Sequence, residues 1–207
     1  MSSLTNSRVA AAVERALDDR QREATEEVER ILAAAVRVME RVAPEPPRVS
    51  DIVAEAGSSN KAFYRYFAGK DDVILAVMER GVAIVVSYLQ HQMAKERTPA
   101  GKVRRWIEGA LAQVADPHLI SMSRAAAGQI SATSNWRAAD DEIMRPMRDL
   151  LTEPIATLGS TDVPRDADIV FRCTVATMRR HLDLADQPSA DDIDHLVRFC
   201  LRGLGAG

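Results

Sequence analysis

The chain has 207 residues, of which 46% are hydrophobic, enough to fill the core of one large or two small domains. Its formal net charge of −3 argues against a protein that coats nucleic acid through bulk positive charge, so any contact with DNA must be local. No apolar run reaches the roughly 20 residues of a membrane span, and Met1–Arg22 is charged and lacks the apolar block of a secretory signal. These features predict a cytoplasmic protein.

Helical periodicity fills most of the chain and predicts an all-α protein. Glycine and proline are sparse, and Ala, Leu, Val, Arg and Glu recur at helical spacing without the period-2 alternation of strands. After an N-terminal arm, an amphipathic helix is predicted to end at the sequence PEPP, Pro44–Pro47. The arm either contacts DNA, extends this helix or is disordered, and the sequence leaves these alternatives open.

Two short helices are predicted next, followed by a long one. The first runs from about residue 49 to 56 and stops at Gly57, the position typical of a left-handed C-cap. Either Ser58 or Ser59 can cap the second short helix. A long helix then extends from about Lys70 to Lys95.

Five further helices are predicted in the rest of the chain. Their ranges are 98–115, 117–133, 137–158, 166–185 and 189–204, with Pro146 and Pro154 as possible kinks and a polar loop at 159–164. Ser189 and Asp192 occupy the positions of a capping box. Cys173 and Cys200 lie in apolar helical patterns and are interpreted as buried thiols.

The sequence GSSNKAFYRYFAGKDD, Gly57–Asp72, concentrates aromatic and cationic residues. Between Ser58 and Lys70 it holds three cations and no acid, so the positive charge forms a local patch. Two short helices at a sharp glycine-containing turn are typical of a helix-turn-helix, whose second helix enters the major groove of DNA. This pattern indicates a recognition helix.

The longer sequence VSDIVAEAGSSNKAFYRYFAGKDDVI resembles the TetR family of bacterial transcriptional regulators. The resemblance covers about residues 24–80, and the matching positions are Ile52, Ala56, Gly57, Ser59, Tyr64, Tyr66, Phe67 and Lys70. The chain departs from the family at Arg48, where a Thr or Ser cap is usual, at Gly69, and within the recognition helix. The resemblance implies the family's fold, but the operator sequence cannot be inherited from relatives.

Side-chain chemistry assigns roles within the recognition helix. Asn60 can pair with adenine and Lys61 with guanine, so these two are predicted to read bases. The resemblance implies phosphate contacts by the hydroxyl of Tyr64 and by other donors around it. Tyr66 either packs or touches DNA. The predicted DNA-contact set is Arg48, Ser58, Ser59, Asn60, Lys61, Ala62, Tyr64, Arg65, Tyr66 and Lys70, whereas Phe63 and Phe67 are expected to point inward.

The C-terminal part of the sequence carries no recognisable catalytic motif. It lacks a Gly-x-Ser-x-Gly elbow, a His-Glu-x-x-His pair and a phosphate-binding glycine loop, and the four histidines have no ligand spacing. The acids beside His195 are explained by the dipole at the start of a helix. We therefore expect no enzymatic activity, no cofactor and no metal site.

Bulky, soft side chains are abundant on the C-terminal helices, where most such residues form ordinary core. The family resemblance implies that this domain encloses a cavity for a small-molecule effector, which would be hydrophobic or amphipathic. The predicted wall comprises Trp106, Met122, Met144, Met147 and Phe171, with His118, Arg124 or Gln129 as polar contacts.

The resemblance also implies a homodimer formed through the last two helices, which would read a palindromic operator in successive major grooves. The predicted domains are an N-terminal arm at 1–22, a helix-turn-helix DNA-binding domain at 23–70 and an effector-binding and dimerisation domain at 71–207. The predicted function is a ligand-responsive repressor. The alternative is an architectural DNA-binding protein whose C-terminal domain binds another protein instead of a ligand.

Overall fold

The computed structural model of the chain describes residues 8–43, 45–115, 136–184 and 186–206, and it is helical in every regular element of those ranges. This confirms the all-α class. The helices are α1 Arg8–Val42, α2 Val49–Glu55, α3 Asn60–Tyr66, α4 Lys70–Met93, α5 Pro99–Ala115, α6 Trp136–Asp149, α7 Thr152–Thr157, α8 Val163–Leu184 and α9 Ala190–Gly203. The helix predicted at 117–133 lies outside the described residues.

The described chain divides into two compact units. The N-terminal unit takes residues 8–38 and 47–74, and the C-terminal unit takes 39–43, 45–46, 75–115, 136–184 and 186–206. None of the described helices is long and apolar enough to cross a membrane.

The N-terminal unit is built on residues 8–38 of α1, a helix of 35 residues. The part of the predicted arm from Arg8 onward is a continuous extension of this helix, and its side chains are exposed up to Glu23. Farther along, Ile31, Ala35 and Val38 are fully buried at helical spacing, because this stripe packs into the core of the unit. The helix ends immediately before the PEPP sequence, as predicted.

A side-chain hydrogen bond connects α1 to α2, and both short helices bury apolar side chains. Arg37 donates from Nε to Oε1 of Glu55 on α2 at 2.8 Å. On α2 the buried residues are Ile52 and Val53, and on α3 they are Ala62 and Phe63. The short helices are thus held by apolar contacts beneath and by polar contacts at their edges.

The core of the C-terminal unit centres on Trp106. Its side chain is fully buried, and its indole Nε1 donates to the carbonyl oxygen of Met147 at 3.0 Å. The ring of Phe171 packs against it with centroids 6.2 Å apart. Because the indole's single polar group has an acceptor, burial of this large ring carries no unsatisfied donor.

The single helix predicted over 137–158 is wrong, since the chain breaks between α6 and α7. Pro154 has no N–H and cannot bond to the carbonyl of Leu150, which favours a break in the helix before it. When a new helix starts at Thr152, Pro154 falls in the first turn, where no amide is needed. Pro146 lies inside α6 without ending it.

Of two further predictions about the C-terminal helices, the structure corrects one and confirms the other. The polar loop is shorter than expected, because Asp162 accepts from the amide of Arg165 at 3.3 Å and allows α8 to begin at Val163. The capping box is confirmed, since Ser189 and Asp192 each accept from the other's backbone amide at 3.1 Å.

The two cysteines differ in burial. Cys200 is buried, and desolvation raises the pKa of its thiol to about 11. Cys173 is only half-buried, so the expectation of two buried thiols holds for Cys200 alone. Both are free thiols.

Candidate nucleic-acid interface

A glycine corner joins α2 to α3. Gly57 has φ of 60°, the left-handed conformation predicted for it. The amide of Ser58 bonds to the carbonyl of Val53 at 3.1 Å, and the amide of Gly57 bonds to that of Ala54 at 3.2 Å. These two bonds form a Schellman motif, which ends α2 and turns the chain sharply into the next helix.

Ser59, rather than Ser58, caps α3. Its backbone is extended, and its Oγ accepts from the amide of Ala62 at 3.1 Å. The hydroxyl of Ser58 instead donates to Oε1 of Glu27 on α1 at 3.2 Å. The two neighbouring serines therefore have different roles: one starts the helix and the other attaches the turn to α1.

One side of α3 presents hydrogen-bond donors to solvent. Asn60, Lys61 and Arg65 are exposed, and Tyr64 is 59% exposed. Lys61, Tyr64 and Arg65 share a face because they are spaced by three and four residues. Ser59, Lys70 and Arg48 are exposed as well.

The opposite side of α3 faces the core. Phe63 is fully buried and Phe67 is 7% exposed, with ring centroids 5.6 Å apart, which confirms the inward orientation predicted for both. Ala62 is also buried, and its amide is bonded to Ser59. The inclusion of Ala62 in the DNA-contact set is therefore corrected, because neither its methyl group nor its amide is available.

A carboxylate on α1 holds the end of α3. Tyr66 is half-buried and donates its hydroxyl to Oε2 of Glu27 at 3.2 Å. The guanidinium of Arg65 lies 4.0 Å from the same oxygen and also 5.8 Å from the ring centroid of Tyr66. A tyrosine has only one O–H to donate, so Tyr66 is committed inside the protein in this structure.

Sequence reasoning missed Glu27. It is separated from Ser58 by 31 residues and from Tyr66 by 39, and an acid on an amphipathic helix ordinarily indicates a solvated face. Only the packing of α1 against the short helices brings the three side chains together.

The start of α4 completes this surface. Oδ2 of Asp72 accepts from the amide of Ala68 at 2.8 Å and fixes the three residues that connect α3 to α4. Lys70, the first residue of α4, is exposed beyond this connection. Its ammonium group thereby adds one more exposed donor after those of α3.

The structure brings together part of the predicted effector wall. Trp106, Met147 and Phe171 lie in the core cluster of the C-terminal unit, and Met144 packs against it. The other four predicted contacts, His118, Met122, Arg124 and Gln129, lie outside the described residues. Among the residues that the structure describes, no three acids, histidines or cysteines gather as metal ligands.

Comparison with known proteins agrees with this architecture. Residues 31–77, which include the helix-turn-helix, match the family model for bacterial regulatory proteins of the tetR family. These residues form a DNA-binding domain of the tetR-family type. No curated protein matches the chain.

Solved structures resemble this chain over most of its length. The fatty acid degradation regulator FadR from Bacillus halodurans is 19% identical, with a TM-score of 0.66 and coverage of 86% of this chain and 98% of its own. FadR from Bacillus subtilis, in complex with stearoyl-CoA, is 18% identical, with a TM-score of 0.66 and coverage of 85% and 96%. NemR from E. coli in its reduced form is 15% identical, with a TM-score of 0.67 and coverage of 86% and 96%. At these identities the likeness establishes the fold.

The matched domain is that of bacterial regulatory proteins of the tetR family, and α2 and α3 form its helix-turn-helix.

Proposed function

We propose that this protein is a homodimeric repressor of the TetR family that binds a palindromic operator and is released by a hydrophobic or amphipathic small molecule. The observation that carries the proposal is the exposed donor surface of α3, in which Asn60, Lys61 and Tyr64 lie in solvent on a capped helix. The predicted DNA-binding domain at 23–70 supplies this surface. The predicted effector-binding and dimerisation domain at 71–207 would bind the small molecule and form the dimer.

The donors divide into base-reading and phosphate-binding groups. Asn60 and Lys61 lie in the first turn of α3, the part of a recognition helix that reaches base edges. Tyr64, Arg65 and Lys70 lie farther along and suit phosphate oxygens, because a hydroxyl and two cations donate without regard to sequence. Tyr66 and Ser58 act through Glu27 rather than on DNA.

Exposed apolar side chains on the last two helices support the dimer. Phe199 on α9 is 61% exposed and Ile169 on α8 is 50% exposed, with the small, exposed Ala176 also on α8. Large apolar groups in water are costly unless another protein surface covers them. A twofold mate using the same helices would bury these side chains and place two recognition helices one helical turn of DNA apart.

The effector site is proposed beside the Trp106 cluster. Its described members are apolar apart from the Cys200 thiol, and the single indole N–H is already satisfied by Met147, so the cluster offers no strong free donor of its own. Such a wall suits a lipophilic ligand, as does the presence of stearoyl-CoA in the complex of B. subtilis FadR. Polar selectivity would come from His118, Arg124 or Gln129.

Release by the effector is proposed to act through α4. This helix is continuous from Lys70 to Met93, so a shift at its C-terminal end is transmitted along hydrogen-bonded backbone to the residues following α3. Coupling between two ligands is reciprocal. Operator DNA should therefore weaken effector binding by the same factor by which the effector weakens DNA binding.

Selection from a random-sequence duplex pool tests the DNA-binding part. We expect enrichment of an inverted repeat, and a slope of about −4 for log affinity against log salt, since Arg65 and Lys70 in each of two subunits would neutralise about four phosphates. Arg65→Ala should reduce the magnitude of that slope by about two. A direct repeat, or an affinity that is independent of salt, would contradict the proposal.

The effector class is tested by thermal shift with a long-chain fatty acid and a short-chain carboxylate of the same charge. We expect only the long-chain compound to raise Tm and to release DNA, because the two compounds differ in apolar surface alone. Stabilisation by the short carboxylate but not by the long one would reject a lipophilic effector.

A further inference from the structure

The carboxylate of Glu27 contacts both ends of the recognition helix. Its Oε1 accepts from Ser58 in the turn before α3, and its Oε2 accepts from Tyr66, the last residue of α3, each at 3.2 Å. Since α3 has only seven residues, these two contacts span its whole length. One side chain on α1 thus attaches the entry and the exit of the same helix.

The geometry of these two hydrogen bonds makes the attachment directional. A carboxylate is an acceptor only, and both of its oxygens receive a hydroxyl donor, so the three groups are complementary without any change of protonation. The Glu27 side chain is 21% exposed, which limits competition from water. The pair of bonds resists rotation of α3 about its own axis as well as tilting away from α1.

The apolar contacts of α3 cannot supply the same restraint. Phe63 and Ala62 face the core from the middle of the helix, and dispersion contacts are individually weak and non-directional. Bases are read by hydrogen bonds whose geometry fails when the reading side chain moves by about an ångström. The orientation of α3 therefore determines whether Asn60 and Lys61 meet base edges.

We propose that Glu27 is a positioning residue for sequence recognition, which fixes the orientation of α3 on α1 through Ser58 and Tyr66 without touching DNA. The inference rests on the proposed DNA-binding function and extends it to a residue outside the helix-turn-helix. It assigns Tyr66 and Ser58 to the same restraint.

The test compares Glu27→Ala and Glu27→Gln with Glu26→Ala, which removes an exposed acid from the neighbouring position. Each full-length variant is titrated with the duplex that wild type enriches from a random pool and with the same duplex after its bases are shuffled. We expect Glu27→Ala to lower the ratio of the two affinities about tenfold, with the affinity for shuffled DNA matching that of Glu26→Ala. Glutamine keeps the reach and can bond both hydroxyls, so Glu27→Gln should retain most of the ratio.

Tyr66→Phe provides the second measurement. It should lower the ratio in wild type and add nothing in the Glu27→Ala background, because both changes break the same bond. An additional loss of the same size in that background would show that Tyr66 acts directly on DNA and would overturn the inference.

Two other results would also reject the role of Glu27. An unchanged ratio in Glu27→Ala would show that α3 needs no such restraint. Equal losses in Glu27→Ala and Glu27→Gln would assign the effect to charge rather than to hydrogen bonding. If wild type enriches no sequence at all, the proposed function itself fails, and this outcome is distinct because it precedes every comparison of variants.

Discussion

The recognition helix α3 and the last helix α9 both hold large side chains in solvent, but with different chemistry. On α3, Tyr64 is 59% exposed and stands beside Lys61 and Arg65, whereas on α9 the 61% exposed side chain is Phe199. A phosphate backbone requires donors and positive charge, while exposed apolar surface becomes stable when another protein covers it. The type of exposed group, rather than its amount, indicates the partner of each helix.

The two units also differ in how their functional elements are held. Within the N-terminal unit, polar contacts from α1 tie down the short helices, namely Glu27 to Ser58 and Tyr66, and Arg37 to Glu55. In the C-terminal unit the equivalent centre is the fully buried Trp106. Directional bonds suit a surface that must meet DNA at fixed geometry, and close packing suits an interior.

The largest effect on stability is expected in the core of the C-terminal unit. Trp106→Ala should destabilise the protein by about 3–5 kcal/mol, because it leaves a cavity and removes the donor to Met147. Tyr64→Ala, which removes an exposed aromatic ring, should change stability by no more than about 0.5 kcal/mol. Urea unfolding measures both, and similar losses would contradict the contrast between core and surface.

The proposed dimer surface gives the next effect. Phe199→Glu would place a charge in an apolar interface and should weaken self-association by about 100-fold or more. Val13→Glu, at a 53% exposed apolar position on α1, is the matched control and should leave association unchanged. Sedimentation at several concentrations distinguishes them. Dissociation of Val13→Glu but not of Phe199→Glu would place the interface on α1 and contradict the proposed dimer.

A smaller and more selective effect is expected at the donor surface. Lys61→Ala should cost about 1–3 kcal/mol of discrimination at one base pair of the operator half-site, while leaving the other positions unchanged. Arg65→Ala should instead weaken all sequences alike, because its proposed partner is a phosphate. Titration of single-base operator variants provides the measurement. A uniform loss with Lys61→Ala would reassign it to the backbone.

The smallest effect concerns a surface ion pair on α8. The hydrogen bond from Arg172 at 2.6 Å, aided by Arg148 at 3.4 Å, holds the pKa of Asp168 below its ordinary value. A lowered pKa in the folded state stabilises the protein above the ordinary aspartate value of about 3.9, and this stabilisation is lost as pH falls through and below it.

Asp168→Asn should therefore cost less than about 1 kcal/mol near pH 7, and the deficit should shrink as acid protonates the wild-type carboxylate. Asp149→Asn, an exposed acid on α6, is the control. Denaturation at a series of pH values measures the difference. A deficit that stays constant down to pH 3 would exclude the ion pair as its cause.

Local sequence patterns predicted the helix-turn-helix well, because its determinants are close together in the chain. Gly57 provides the left-handed corner, and the cap at Ser59 lies three residues from its partner amide. Position along α3 also separated exposed Tyr64 from buried Phe63. Prediction failed for Ala62, whose helical position lies on the buried side.

Contacts between distant residues account for what sequence reasoning could not reach. No periodicity shows that Glu27 meets Ser58 and Tyr66, since the fold alone brings α1 beside α3. The break before α7 was foreseen only as a possible kink, because a proline permits either a bend or a new helix start until the packing of its neighbours decides. The same limitation applies to the effector wall, where core and cavity use the same side chains.

Burial of Cys200 makes its thiol poorly reactive in the folded protein. With a pKa of about 11, roughly one molecule in 10,000 carries the thiolate at pH 7, and only the thiolate attacks alkylating reagents. Opening of the C-terminal core would return the sulfur to water and to ordinary reactivity. The rate at which an alkylating reagent labels Cys200 would therefore report how often that interior opens.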